Sequence, residues 1–352
     1  MKSITVVGSG VTGLTTALLL VEKGYNVTIV AKHFPGDDNI EYTSPFAGAH
    51  WRTLASNKDV LAQRFDSIAY QKFLYLGRTI PEEQTGIMIA PSYDYYDTLT
   101  EDTKNPWFKN VVEDFSYIPH TDFPDSTIKV GHRYTTVLIN PLQYLPWLLK
   151  QVVSKGVQLK RQTINNIRDA FTVDDGDGCI KSVDAVVNCT GLGSLHLGGV
   201  QDQKLFPTRG QTVLVKGNHI KKSVYYVRNG IFTYIIPRAD GTIILGGTAE
   251  KNDFNAHVDH STTEAILKRT KSLCPELTIN DQPLDIVREA VGFRPTRTGG
   301  VRIENERYGM TSGKDMIVTH AYGHGGFGYQ SSWGSSEYIV NMVEKGLYQP
   351  KL

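Results

Sequence analysis

The chain has 352 residues, with 37 Lys+Arg against 36 Asp+Glu and a formal net charge of +1. That length is about two ordinary domains and excludes a small disulfide-stapled module, while the balanced charge excludes a basic field for nucleic acid or anionic membrane. The three cysteines, Cys179, Cys189 and Cys274, have no metal-ligand or Cys-x-x-Cys spacing and read as free thiols in a reducing compartment, with no metal site. The longest apolar run, Val11 to Val21, falls short of the roughly 20 residues a membrane span needs, so the chain reads as a soluble protein.

The opening is a strand, a turn, a helix and a strand. Ser3 to Val7 is a short β-branched run that stops at glycine, which makes it a strand rather than a signal peptide. Gly8-Ser-Gly-Val-Thr-Gly13 is the turn, Leu14 to Lys23 a helix ended by Gly24, and Asn26 to Val30 the next strand. From Phe34 to Trp51 the composition is that of a loop, and a polar-faced helix follows over about 59–75. Thr85 to Thr136, rich in tyrosine and proline, reads as the start of a second unit. Asn140 caps a helix over 141–155 with Pro141 in its first turn, and Val157 to Arg161 is a strand. Ala185 to Gly193 is a strand running into a second glycine-rich turn. Short strands are expected at 211–215, 233–237 and 242–246, a helix over 261–273, a strand at 316–319, and a last helix over 331–345 behind the glycine-rich segment Tyr322 to Gln330.

The fold class is therefore α/β, with a Rossmann-like cofactor domain interleaved with a mixed-sheet substrate domain. The expected division assigns 1–55, 140–215 and 291–352 to the first, and 56–139 and 216–290 to the second. Gly8-x-Gly10-x-x-Gly13 between strand and helix is the dinucleotide context: Gly8 for the tight turn, Gly10 for close approach of a pyrophosphate, Gly13 for helix-on-strand packing. One element departs from that pattern. Ala31, Lys32 and His33 stand where an acidic residue for the ribose hydroxyls is expected. The distant turn Thr190-Gly-Leu-Gly193 favours an elongated FAD over NAD, because FAD touches several separated segments.

Here the chain resembles the D-amino-acid oxidase family, of fungal type, including its D-aspartate oxidase branch. The resemblance rests on Val7 to Leu14, Tyr42-Thr-Ser-Pro-Phe-Ala-Gly-Ala49, Asn188 to Gly193, Pro207-Thr-Arg-Gly-Gln211, Tyr234-Ile-Ile-Pro-Arg238, Gly292-Phe-Arg-Pro295 and Tyr322 to Gly328. It implies that Arg294 holds a substrate α-carboxylate and that Tyr234 hydrogen-bonds it. It implies FAD contacts from Gly8, Ser9, Gly10, Val11, Thr12 and Gly13, then from Ala31, Lys32, His33, Thr43, Ser44, Gly48, Ala49 and His50. Further contacts fall on Ile164, Thr190, Gly191, Gly193, Gly292 and Arg294, and on Gly323, Gly325, Gly326, Phe327, Gly328, Tyr329 and Gln330. His324 is expected to be structural rather than a base. The family's second tyrosine is missing, because Ala249 follows Gly246-Gly247-Thr248.

Arg52, Arg228 and Gly326 are the side-chain pocket candidates, and an inward arginine would point to acidic substrates. The implied activity is oxidative deamination of D-amino acids by hydride transfer to flavin N5, giving a 2-oxo acid, ammonia and hydrogen peroxide. A D-aspartate oxidase and a glycine- or sarcosine-type oxidase are the alternatives; an NAD dehydrogenase and a nucleotide sensor without turnover are more distant rivals. The implied partners are a D-amino acid and dioxygen, with a homodimer left open. Gln349-Pro-Lys-Leu352 is one residue from a peroxisomal address, which suits a peroxide producer and an import receptor; a cytoplasmic location is the alternative.

Overall fold

The computed structural model describes residues 1–174, 180–280, 282–309 and 315–348. Cys179 and the Pro-Lys-Leu end lie outside the described residues. Two sheets carry the architecture. The first has six strands in the order Arg302–Gly309, Asp315–Tyr322, Ala185–Asn188, Ser3–Val7, Asn26–Ala31 and Gln158–Arg161. All neighbours in it are parallel except Arg302–Gly309. Its central strands are buried on both faces and are accordingly continuous β-branched runs.

Helix Val11–Glu22 packs on helix Ser332–Tyr348, with a hydrogen bond of 3.0 Å between Thr16 Oγ1 and Ser336 Oγ. Helix Val60–Thr79 starts at Asp59, whose carboxylate accepts from the Ala62 amide at 3.1 Å. Helix Pro141–Ser154 starts at Asn140 as expected, with its side chain accepting from the Leu142 amide. These helices enclose a core that includes Trp51, Tyr70, Phe73, Tyr144 and Trp333.

The second sheet has nine strands and is mixed. Its path runs Glu250–Lys251, Leu205–Lys216, Thr242–Gly246, Ile231–Pro237, Ser223–Arg228, Ile87–Tyr96, Val130–Ile139 and Ser116–Tyr117, with Ile286–Arg297 paired to Leu205–Lys216. That last ladder corrects the expected division. Residues 205–215 and 291–297, assigned from sequence to the cofactor unit, are hydrogen-bonded in the large sheet, with Gly210 opposite Gly292 and Thr208 opposite Arg294. The ladder is long and antiparallel, and it carries the Gly-Phe-Arg-Pro segment from the sheet to the mouth of the nucleotide fold.

Among the described residues, no helix is long and apolar enough to cross a membrane.

Candidate active site

A cavity of about 1100 Å³ runs between the two sheets. One end is formed by the first glycine turn. Gly8 has φ +106°, and a Cβ there would lie 2.5 Å from the Cys189 carbonyl oxygen; a Cβ on Gly10 would lie 2.9 Å from Ser44 Oγ. Helix Val11–Glu22 begins here with no cap from its own Gly10 and no acidic residue in its first turn; Ser44 Oγ accepts from the Val11 amide at 3.1 Å, and the positive dipole end faces the cavity, where it favours an anion.

The loop over this turn is laced down. Tyr42 Oη donates to the Ser9 carbonyl at 2.7 Å, Tyr329 Oη to the Ser44 carbonyl at 3.0 Å, and Thr43 Oγ1 to the Phe293 carbonyl at 2.9 Å. Arg238 donates to the Gly48 carbonyl at 2.9 Å.

The residues named from the sequence for the cofactor lie along this cavity, with two exceptions. Its wall contains Ser9, Val11, Thr12, Ala31, Lys32, His33, Ala49, His50 and Ile164, together with Thr190, Gly191, Gly193 and Gly292. Gly323, Gly325, Gly326, Gly328, Tyr329 and Gln330 close the far side. Gly13 is behind the wall, where it sets the packing of helix on turn, and Phe327 does not line it. The second turn is held by Asn188, whose Oδ1 accepts from Thr190 Oγ1 at 2.9 Å while its amide nitrogen meets buried His320 at 3.2 Å.

At the end of the second strand Lys32 and His33 meet an acid from the following loop. Glu41 lines the cavity, pairs with Lys32 and approaches His33 Nε2 at 3.4 Å, and these two groups hold its carboxyl below the usual range. Local sequence gives no signal for it, because the contact spans a loop.

The chemistry of the wall fits FAD. The glycine cradle is one a Cβ would fill. In addition, the buried Nε2 atoms of His50 and His324 find no protein partner, as expected where a polar ligand completes the site. Burial lowers both imidazoles to about 4, with Asp94 and Arg52 exerting smaller, opposing effects on His50, so both are neutral at pH 7. Replacing His324 with alanine is expected to leave the rate of flavin reduction within about tenfold of wild type in FAD-saturated protein, since a general base is worth 10²–10⁴-fold. Rapid-mixing absorbance of the FAD-loaded variant measures this, and a hundredfold loss would make His324 a catalytic acid or base.

The other end of the cavity carries the charged groups. Arg294 Nη1 donates to the Thr248 carbonyl at 2.9 Å, and its guanidinium lies in a slot made by Gly210, where a Cβ would come within 2.4 Å of it. Tyr234 is buried beside it and hydrogen-bonds it. Burial raises the Tyr234 phenol and Arg294 opposes that rise, so the hydroxyl is protonated at neutral pH. Gly246 is opposite Tyr234 in the ladder, and a Cβ there would fall 2.0 Å from its ring. Phe232 stacks on Tyr234 at 6.1 Å with planes 8° apart. Ala249 also lines the cavity, leaving open the space the absent tyrosine would take.

The two arginine candidates separate. Arg52 is inside: it is 8% exposed and lines the cavity. Arg228 is outside, a correction to the sequence reading. Its side chain is 52% exposed and pairs with Asp125 at 3.0 Å, because it falls at the last position of its strand, where the ladder ends in solvent.

Asp66, on helix Val60–Thr79, is a buried acid that no sequence signal marked. Its Oδ2 accepts from Gln330 Nε2 at 3.1 Å, and Thr53 also hydrogen-bonds it. Burial, with a smaller push from Asp59, raises its carboxyl to about 7 against the opposing hydrogen bonds from Thr53 and Gln330. A folded-state value above the unfolded one means that the stability linked to this group is present below about pH 4 and is lost as pH rises to 7. Asp66→Asn removes that slope. Its unfolding free energy is expected to gain on wild type by up to ~4 kcal/mol between pH 4 and pH 8, read by urea titration at each pH. A difference that does not change with pH would show that Asp66 is ionised throughout.

The two-sheet architecture, the glycine cradle and the arginine–tyrosine pair define a flavin-dependent oxidoreductase. A family model described as FAD dependent oxidoreductase matches residues 3–342, and the chain belongs to this family. It is 37% identical over 338 residues to a D-amino-acid oxidase of Schizosaccharomyces pombe, covering 95% of this chain and 93% of that protein. To a D-aspartate oxidase of Cryptococcus neoformans var. grubii it is 31% identical, covering 98% and 97%. Among solved structures, glycine oxidase from Geobacillus kaustophilus superposes with a TM-score of 0.73 at 18% identity, covering 98% of this chain and 95% of that one.

Proposed function

We propose that the protein is an FAD-dependent D-amino-acid oxidase in which Arg294 and Tyr234 bind the substrate α-carboxylate. The observation that carries the reading is the pairing of a slotted guanidinium with a buried, protonated phenol at one end of the cofactor cavity. A planar guanidinium matches a carboxylate bidentately, and the phenol donates a further hydrogen bond. FAD, when bound, supplies the acceptor for the hydride of the substrate Cα–H, and dioxygen takes the two electrons on as hydrogen peroxide. What this chain contributes is orientation. Two fixed donors leave one rotation for the substrate, and Phe232 and the glycines behind Tyr234 keep that ring from swinging away. His50 and His324 are neutral by burial, so neither is a cationic acid at pH 7.

The imino acid product hydrolyses to a 2-oxo acid and ammonia. An absorbance spectrum of the purified protein followed by anaerobic addition of D-alanine and D-aspartate tests the reading. Flavin bands that bleach with a D-amino acid support it. A colourless protein, or bands that bleach only with an N-methyl amino acid, would overturn it in favour of a dehydrogenase or a sarcosine-type oxidase.

A further inference from the structure

The wall that carries Tyr234 continues beyond it. Tyr225 is directly opposite Tyr234 in the antiparallel ladder, so the two rings are neighbours on one face. The carbon at the centre of the Arg52 guanidinium lies 3.4 Å from the centroid of the Tyr225 ring. Arg294, Tyr234, Tyr225 and Arg52 therefore form one strip along the cavity, with a guanidinium at each end, and all four line it. If the α-carboxylate is held at Arg294, the substrate side chain runs toward Arg52. An unpaired buried guanidinium in that position would select a second carboxylate.

Arg52 is not unpaired. Its Nε donates to Asp94 Oδ2 at 3.1 Å and its Nη2 to Tyr96 Oη at 3.0 Å. Asp94 is 1% exposed and also accepts from Tyr134 Oη at 3.1 Å and Ser92 Oγ at 2.8 Å. His50 and His132, which feel both charges, are lowered by burial and add no positive charge at neutral pH.

We propose that Asp94 determines side-chain specificity: by pairing with Arg52 it cancels the positive charge at the far end of the substrate site, so that the enzyme takes neutral D-amino acids and discriminates against D-aspartate and D-glutamate. The inference rests on the reading that Arg294 holds the α-carboxylate. A substrate carboxylate at Arg52 would have to share the guanidinium with a buried like charge hydrogen-bonded to it, and sharing removes most of the gain of a charge-assisted contact. A neutral side chain meets a pair of zero net charge and leaves no bare ion behind. The pair also explains how an arginine stays buried in this site without a ligand.

The two single variants should move specificity in opposite directions. Asp94→Asn keeps an oxygen for Arg52 while removing the negative charge. It is expected to raise the ratio of kcat/KM for D-aspartate to that for D-alanine by roughly 10- to 150-fold, the worth of a charge-assisted contact. Arg52→Gln leaves Asp94 bare and is expected to lower the same ratio at least tenfold. Binding of succinate relative to butyrate, followed on the FAD-loaded protein by thermal shift, should follow the same order without any turnover. If Asp94→Asn does not fold, Arg52→Gln alone decides the sign. A wild-type preference for D-aspartate, or ratios unchanged in both variants, would overturn the proposal. Kinetics within about threefold of wild type in Arg294→Ala would instead bring down the reading beneath it.

Discussion

Arg294→Ala is expected to lower kcat/KM for D-alanine by roughly 30-fold to several thousand-fold, while the protein still binds FAD. The range corresponds to about 2–5 kcal/mol for truncating one partner of a buried charged contact. The structure places the effect near the top of it, because this arginine is pre-organised. Its Nη1 is tied to the Thr248 carbonyl at 2.9 Å, its stem passes 3.3 Å from where a Cβ on Gly326 would be, and Gly210 provides the space for the guanidinium. Little entropy remains to be lost when a carboxylate binds, so most of the interaction appears as orientation. Arg294→Lys should recover only a small part, since an ammonium cannot make the parallel pair of hydrogen bonds. Steady-state peroxide production at varied substrate measures it. Kinetics within threefold of wild type would take Arg294 out of the site.

Gly13→Ala should weaken FAD by about 5- to 150-fold without touching any substrate group. A Cβ at this position would lie 2.0 Å from the Gly8 carbonyl oxygen and 3.4 Å from the Cys189 side chain, and the nearest obstacle is backbone that cannot rotate aside. Helix Val11–Glu22 must therefore lift from the turn, carrying its N-terminal amides away from the diphosphate. Overpacking of this kind costs typically 1–3 kcal/mol. Gly24→Ala is the matching control. Gly24 has φ +86° but nothing within 4 Å, so its substitution strains the chain locally and leaves the cradle alone. Titration of apoprotein with FAD, followed by flavin fluorescence, separates the two. Equal affinities in both variants would mean that the turn does not set cofactor binding.

The glycine turns and the capped helix at Asn140 were legible from the sequence because each is written in neighbouring residues, whereas Arg294 and Tyr234, distant in the chain, were named together only through the family resemblance. A turn that needs φ above zero asks for glycine at that position, and Asn140-Pro141 announces a helix start within two residues. Their tertiary consequences were less accessible. Leu205–Lys216 was divided from its proper sheet because a strand's sequence does not name its partner. Glu41 went unnoticed because it reaches back to His33 across 8 residues of loop.

Arg52 and Arg228 show the boundary most sharply. The sequence offered no reason for either to be buried. Whether a guanidinium faces solvent or ligand depends on what sits opposite it. Arg228 ends its strand at the edge and takes Asp125, whereas Arg52 meets Asp94 at a sequence separation of 42, on a strand where alternation puts Ser92, Asp94 and Tyr96 on one face.

Cofactor class and reaction type were set by local backbone demands and by residue chemistry, which the sequence carries by itself. The charge of the substrate pocket was decided by the tertiary structure alone, because the energy of a buried ion depends on its partner, and that partner is brought in by the fold.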